Sequence, residues 1–434
     1  MRRSKTGVLL LVACLAGAGE AAAQTPPPAP PPPPAPAAAP APPAAAAPAA
    51  PPAAPAPPPP AAPEPPAAAA PAAAPAAAPA ATPAAPAGNW YDKFSADAFA
   101  DAYANVNWNF PKPQFGVGLP TRAYDQAQGF SLNQIGLNAA YSSDNVGGTI
   151  SLRFGPEAQL YNVAAVTGGT ADNSFGMQNV RQAYGTLKGG PITLDMGKFD
   201  QPFGSEVPDS QLNFFYTRSL LFQLNQPVFF TGLRLDYAAS DAVDLKIIAA
   251  NGWNNTIDDN TSKSFAAQLM LKPMDTLIFY LGGVVGPEQS DFALPTGMAT
   301  TGMSISGADS HWRGLADLVI DYNPSSSVNF ALNGDFDSEQ SESWYGVNLE
   351  AKFVVADPFA IALRGEYFGD NHAAIIGTKS AESATLTLSY VVASHLTLML
   401  DNRIDIAKDA IFASSSGSEK TMFTSTLGAI IATK

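Results

Sequence analysis

The sequence predicts an all-β protein: a transmembrane antiparallel β-barrel of about 16 strands that follows a disordered Pro/Ala-rich N-terminal segment. Three observations predict it. The chain opens with an export signal. From Ser95 onward its hydrophobicity alternates with period two, the mark of strands with one apolar face. The links between those strands alternate between short and long, as they do in membrane barrels, where turns face the periplasm and longer loops face outward. A secreted sandwich has no reason to sort its connections in this way.

In chain order, residues 1–23 read as a signal peptide. Arg2, Arg3 and Lys5 form a charged start, Gly7 to Gly19 is apolar, and Ala21-Ala22-Ala23 before Gln24 is a small-residue cleavage site. The apolar run is too short to span a bilayer as a helix, which needs roughly 20 residues. Leu11-Val12-Ala13-Cys14 resembles a lipobox, so lipidation of Cys14 is the alternative. Cys14 is the only cysteine. Cleavage after Ala23 leaves none, so stability must come from packing and hydrogen-bonded closure rather than disulfides.

Residues 24–94 are a Pro/Ala-rich linker. They cannot bury a core, and dense proline forbids a continuous helix. An extended spacer is expected, at about 3.1 Å per residue. It would serve as a tether, or as an arm reaching the cell wall or a periplasmic partner. The chain carries 23 Lys plus Arg against 37 Asp plus Glu, a formal net charge of -14. That excludes nucleic acid as a partner, since phosphate contacts need a basic face.

Residues 95–434 are the expected barrel domain. The first six strands are read at Ala98–Phe110, Gln134–Ser142, Gly147–Phe154, Val180–Leu187, Ile192–Phe199 and Gly232–Ala238. The next five are Val243–Trp253, Ser264–Leu271, Thr276–Val285, Trp312–Tyr322 and Val328–Asp337. The last five are Ser343–Val355, Phe359–Phe368, Ala384–Val392, Leu396–Ala407 and Met422–Ala432. In Leu396–Ala407 one face holds Leu396, Leu398, Leu400, Ile404 and Ile406, and the other holds Asp401, Arg403 and Asp405. A barrel turns the first face to outer-membrane lipid and wets the second from a lumen. Tyr141, Tyr237, Tyr322 and Tyr390 fall beside short turns, and Trp108, Phe154, Trp253 and Tyr367 beside long loops. Two belts of amphipathic rings at the interfaces are expected.

Sixteen strands enclose an aqueous channel. Its wall candidates are Arg153, Arg181, Arg234, Arg313, Arg364 and Arg403, with Asp317, Asp321, Glu366 and Asp401. Lys246, Lys352, Asp195, Asp236 and Glu350 share the same face. The third long link, Asp200–Thr231, alternates poorly and carries Pro202, Gly204, Pro208 and Pro227 among many aromatics. It reads as a loop that packs inside something: an insertion into the lumen, with Glu206, Asp209 and Arg218 facing the passage, or else an external cap or a contact with a neighbouring subunit. No catalytic constellation is legible. His311, His372 and His395 are far apart, and no HExxH, CxxC or Walker loop is present, so neither an enzyme nor a cofactor or metal site is expected.

The region around that loop resembles the OmpL-like β-barrel porin family of Gram-negative outer membranes. The matching pieces are Gly197-Lys198-Phe199, Pro202-Phe203-Gly204-Ser205-Glu206, Tyr216-Thr217-Arg218-Ser219-Leu220, Gln226-Pro227 with Thr231-Gly232, and Asn251-Gly252-Trp253-Asn254, extended by Gly286-Pro287-Glu288. The resemblance covers about Asp97 to the C-terminus. It implies an outer-membrane porin passing small hydrophilic solutes or ions, compatible with a homo-oligomer such as a trimer. The Pro/Ala tract is outside the resemblance. The chain ends Ile431-Ala432-Thr433-Lys434, without the terminal aromatic usual in outer-membrane barrels. A structural or adhesive barrel tethered by the Pro/Ala arm is the other reading.

Overall fold

Alternating side chains on successive strands leave one course open to a chain of this length in lipid. Every backbone N–H and C=O must be paired, and a closed ladder does that without an edge. The computed structural model describes residues 90–112, 128–162, 176–258, 260–288 and 311–433. The expected signal peptide, Cys14 and nearly all of the Pro/Ala segment lie outside the described residues. Trp90–Lys93 form one 3-10 turn that leads directly into the first strand.

The strands are β1 (Phe94–Asn107), β2 (Gly129–Ser142), β3 (Val146–Phe154), β4 (Val180–Gly189), β5 (Ile192–Asp200) and β6 (Phe229–Ser240). There follow β7 (Val243–Ala250), β8 (Ser264–Met274), β9 (Leu277–Pro287), β10 (Trp312–Ser325), β11 (Val328–Glu339) and β12 (Glu342–Ala356). Then come β13 (Phe359–Asp370), β14 (Ser380–Val392), β15 (Leu396–Ala407), β16 (Phe412–Ser414), β17 (Gly417–Glu419) and β18 (Thr421–Ala432). All but β16 and β17 form one closed antiparallel barrel, a total of 16 strands. Neighbours in sequence are neighbours in the wall, and β18 closes it by pairing with both β15 and β1. No described helix is long and apolar enough to cross a membrane.

The faces separate as the alternation requires. On β15, Met399, Asp401, Arg403, Asp405 and Ala407 are buried while Ile404 and Ile406 face out. On β12, Trp344, Asn348 and Glu350 are buried and Tyr345, Val347 and Leu349 are exposed. Tyr237, Tyr322 and Tyr390 are exposed beside the short turns, and Trp108, Phe154 and Tyr367 are exposed near the long-loop ends. Tyr141 is half-buried against Phe94, and Trp253 departs from the belt altogether. β7 ends at Ala250, and the indole packs against the buried cluster that includes Phe199, Phe203 and Phe230.

Other departures from the period-two reading have local causes. β2 begins at Gly129 rather than Gln134, because a register shift opposite Asp101/Ala102 turns both Asn133 and Gln134 inward and breaks the alternation. β1 stops at Asn107, and Phe110, with φ 45, sits in a turn instead of ending the strand. The last long link is not plain loop; it holds the β16–β17 hairpin. Two short helices also escape a strand pattern: α1 (Pro156–Tyr161) and α2 (Leu220–Leu224).

Candidate functional site: the loop between β5 and β6 and the wall it meets

Residues 201–228 leave β5 and return to β6 after meeting inward-facing groups around the barrel. On the β8–β12 side, Gln268 Nε2 donates to the Pro202 carbonyl. The Gly204 amide donates to Asp317 Oδ1 at 3.0 Å, and Ser205 Oγ to Glu350 Oε1 at 2.8 Å. Glu206 then pairs with Arg364 on β13, next to Glu350, at 2.7 Å, and further round the wall Asp209 pairs with Arg153 on β3 at 2.6 Å. The Tyr216 hydroxyl donates to Asp101 Oδ1 at 2.7 Å, and both the amide and the hydroxyl of Thr217 donate to Asp401 Oδ2 at 2.8 Å. The chain then turns back. The Leu220 amide donates to Glu366, Asn225 Nδ2 to Asp337, and Gln226 Nε2 to Asp335 Oδ2 at 2.8 Å.

Apolar packing follows the same course. Phe203, Phe215, Tyr216, Leu220, Leu221 and Phe222 are all buried. Three inward wall glycines make room for them. A Cβ at Gly282 would meet the Phe203 ring at 2.7 Å, one at Gly346 would meet Leu221 at 2.4 Å, and one at Gly428 would meet the Tyr216 ring at 2.1 Å. Within the loop, Gly204 has φ +75, where a side chain is strained, and its Cα lies against the Gln226 amide. Ser219 caps α2, its hydroxyl accepting from the Phe222 amide at 3.1 Å.

The expected loop residues are therefore buried and engaged. Glu206 and Arg218 are fully enclosed, and Asp209 nearly so. They hold the loop to the wall or to itself rather than facing open water, because their partners lie on the wall side. Arg218 Nη1 donates to the Phe215 carbonyl at 2.8 Å, and the Arg218 carbonyl accepts from Arg403 Nη1 at 2.6 Å. Burial alone would raise the Asp209 carboxyl. The Arg153 hydrogen bonds and charge, with Arg181 and Arg218 behind them, overcome that and hold it below its ordinary value.

All ten wall candidates lie on inward positions. Arg153, Arg181, Arg364, Arg403, Asp317, Glu366 and Asp401 are buried; Arg234, Arg313 and Asp321 are partly so. Arg364 also pairs with Glu366 at 2.9 Å and stacks on Phe215, and Arg403 pairs with Asp405 at 2.9 Å. Arg181 pairs with Asp200 at 2.9 Å, and Arg234 pairs with Asp195 at 2.7 Å over the Phe199 ring. Arg313 pairs with Glu339 and lies between the Trp253 and Trp344 rings.

Sequence reading missed Asp101 and Glu157, which share the Asn133 side-chain amide. Glu157, on α1, is buried. That burial, and then the charges of Asp101 and Asp209, push its carboxyl well above its ordinary value. Asp335 and Asp337 were legible as an inward face but not as partners of the loop. The three receiving glycines gave no signal beyond their residue type.

A closed barrel with apolar side chains outside, charged ones inside and a long loop bonded across its inner face has the architecture of an outer-membrane channel protein. Solved barrels agree on the fold. The outer-membrane channel DcaP of Acinetobacter baumannii superposes with a TM-score of 0.51 at 11% identity, over 78% of this chain and 96% of that one. OprB of Pseudomonas putida gives 0.50 at 14%, over 79% and 94%. OmpT of Vibrio cholerae, described as outer-membrane expressed, gives 0.50 at 11%, over 79% and 98%. No curated protein matches the sequence significantly. The chain belongs to the family described as "Putative beta-barrel porin-2, OmpL-like", whose model matches residues 93–432.

Proposed function

We infer that this porin-family barrel forms a water-filled channel for passive diffusion of small hydrophilic solutes and ions, and that residues 201–228 constrict it. The observation that carries this reading is the anchoring of one loop to inward groups on β1, β3, β10, β12, β13 and β15 at once. A segment tied to opposite walls divides the cross-section of the lumen. Any passage must run beside it, past partly buried wall charges such as Lys246, set between Asp236 and Asp244, and Arg234. The protein's role is transport without chemistry, in the outer membrane of a Gram-negative bacterium reached through a cleaved signal peptide, with residues 24–94 as a periplasmic spacer. A homo-oligomer, a trimer included, is compatible with this role.

Refolded protein in a planar bilayer under a salt gradient tests it. Discrete conductance steps support the channel, and the reversal potential gives its ion preference. The density of the loop packing favours one second reading: a structural or adhesive barrel, tethered by the Pro/Ala arm, whose lumen the loop closes. Folded, inserted barrels that give no steps would select it.

A further inference from the structure

The loop turns its charged groups to the wall or back on itself, and the large side chains it leaves uncovered are apolar. Val207 and Leu212 are 38% and 69% exposed. Phe214 is partly exposed close by in sequence. Asn213 draws the three together. Its side-chain oxygen accepts from the Val207 amide at 2.9 Å, and its nitrogen donates to the carbonyls of Val207 and Asp209, both at 2.7 Å. Residues 207–214 therefore form a short tongue. Arg153 holds it at Asp209, and Arg364, stacked on Phe215, holds its end. Apolar surface left in a wet passage gains free energy from whatever covers it.

A cation stands beside this tongue. Lys352 Nζ lies 5.1 Å from the centroid of the Phe214 ring. The residue is on the inward face of β12, partly exposed, and among the described residues it forms no ion pair. Other inward cations are engaged. Lys246 lies between Asp236 and Asp244, Arg234 is paired with Asp195, and Arg364 with Glu206 and Glu366. The register partners of Lys352 are Asn329 on β11 and Ala362 on β13. Asn329 donates to Asn323, and Ala362 faces Thr387 on β14. The wall at that level is one ammonium among uncharged groups. Glu350, two residues away on the same face, is buried and takes hydrogen bonds from Ser205 and Asn348. A solute in the passage meets the ammonium rather than that carboxylate.

Selectivity in a narrow passage is set by the charges and surfaces a solute must pass. A potassium ion is repelled by the ammonium. Chloride is attracted, but it gains nothing from the apolar tongue. A carboxylate on an apolar body gains from both: its charge meets Lys352, and its body covers Leu212, Val207 and the Phe214 ring. An ammonium seated on an aromatic face and partly withdrawn from water also acts more strongly on such an anion than one in bulk solvent. We propose that Val207, Leu212, Phe214 and Lys352 form a selectivity site for small amphipathic organic anions, carboxylates borne on an aromatic ring or a short alkyl chain. This site presupposes the channel proposed above and names its preferred solute.

The test is the reversal potential of refolded full-length protein in a planar bilayer, first under a gradient of potassium benzoate and then of potassium gluconate. Gluconate carries the same charge on a polar body. Each gradient gives the permeability of the anion relative to potassium. The benzoate ratio should fall about two- to fivefold in Lys352→Met, the scale of a partly exposed ion pair. Leu212→Asn should lower the benzoate ratio and leave the gluconate ratio unchanged. Lys188→Gln, beside the β4–β5 turn, should change neither. Heat-modifiable gel mobility establishes that each variant is a folded barrel. A folded, inserted wild type without conductance steps overturns the channel and the site with it. Steps in which benzoate and gluconate permeate alike, or in which Lys352→Met and Lys188→Gln shift the benzoate ratio equally, overturn the site and leave the channel standing. A loss in Lys352→Met with none in Leu212→Asn overturns the role of the tongue and leaves ordinary anion attraction.

Discussion

The two banks that the loop bridges are held by opposite logic. At Arg364, Arg403 and Arg153, acids and guanidiniums are interleaved: Glu206, Glu366, Asp405 and Asp209 each meet an arginine. On β10, β11 and β12, which follow directly on the Arg364 strand, Asp317, Asp335, Asp337 and Glu350 receive only uncharged donors. The loop's own composition follows the division. Its carboxylates go to the arginine bank, and the side-chain amides of Asn225 and Gln226 go to the acidic one. A buried ion pair is weak evidence for net stability, but breaking one member leaves an uncompensated charge. The arginine bank should therefore be intolerant of truncation and the acidic bank tolerant of neutralisation.

The sharpest way to break that contrast is a pair of variants. Arg364→Ala leaves Glu206 buried without its cation, and Glu366 with only the 3.6 Å contact to Arg403, and should cost about 3–5 kcal/mol. Asp335→Asn removes a like charge facing Asp317 and should be neutral or stabilising. Unfolding midpoints in detergent measure both. If both lose stability equally, the two banks do not differ in the way described.

Next in size are the glycine sockets. Gly428→Ala would place a methyl at 2.1 Å from the Tyr216 ring and should destabilise the docked loop by about 1–3 kcal/mol. Gly365→Ala, on β13 with nothing within 4 Å, should have no such effect. Protease cleavage within residues 201–228 reports whether the loop has lifted.

A pH series separates the loop's arginine contact from the neighbouring buried acid on α1. Asp209 is held below its ordinary value, so its contribution is present above the unfolded carboxylate pKa, about 3.9, and lost as pH falls through the depressed value. Glu157 is raised, so its contribution is full below the unfolded glutamate pKa, about 4.3, and lost as pH rises through the raised value. Asp209→Asn should flatten the acid limb of the thermal midpoint curve, and Glu157→Gln the alkaline limb. The smallest effect expected is from Ser219→Ala, which removes the cap of α2 and should cost about 1 kcal/mol.

How far the sequence could be read depends on range. Strand faces are local, so Asp401, Arg403, Arg364 and Asp317 could be assigned inward from period two alone. β2 was cut short because a bulge makes neighbours Asn133 and Gln134 share a face, which defeats that rule. Partners are not local. Arg364 and Glu206 are 158 residues apart and Arg153 and Asp209 are 56 apart, so charge could be seen but not its pairing. The loop's proline and aromatic content indicated internal packing. That Glu206, Asp209 and Arg218 turn to the wall or back on their own loop depends on where Phe203, Tyr216 and Leu221 seat, and hence on glycines in three distant strands.

The central claim is that residues 201–228 cross the lumen and limit flow through it. Single-channel conductance of the wild type and of a variant lacking residues 205–225, each shown to be a folded and inserted barrel, tests this most directly. The account predicts discrete steps from the wild type and clearly larger steps from the deletion. Equal conductance in the two would contradict it, and would place the loop outside the path of ions.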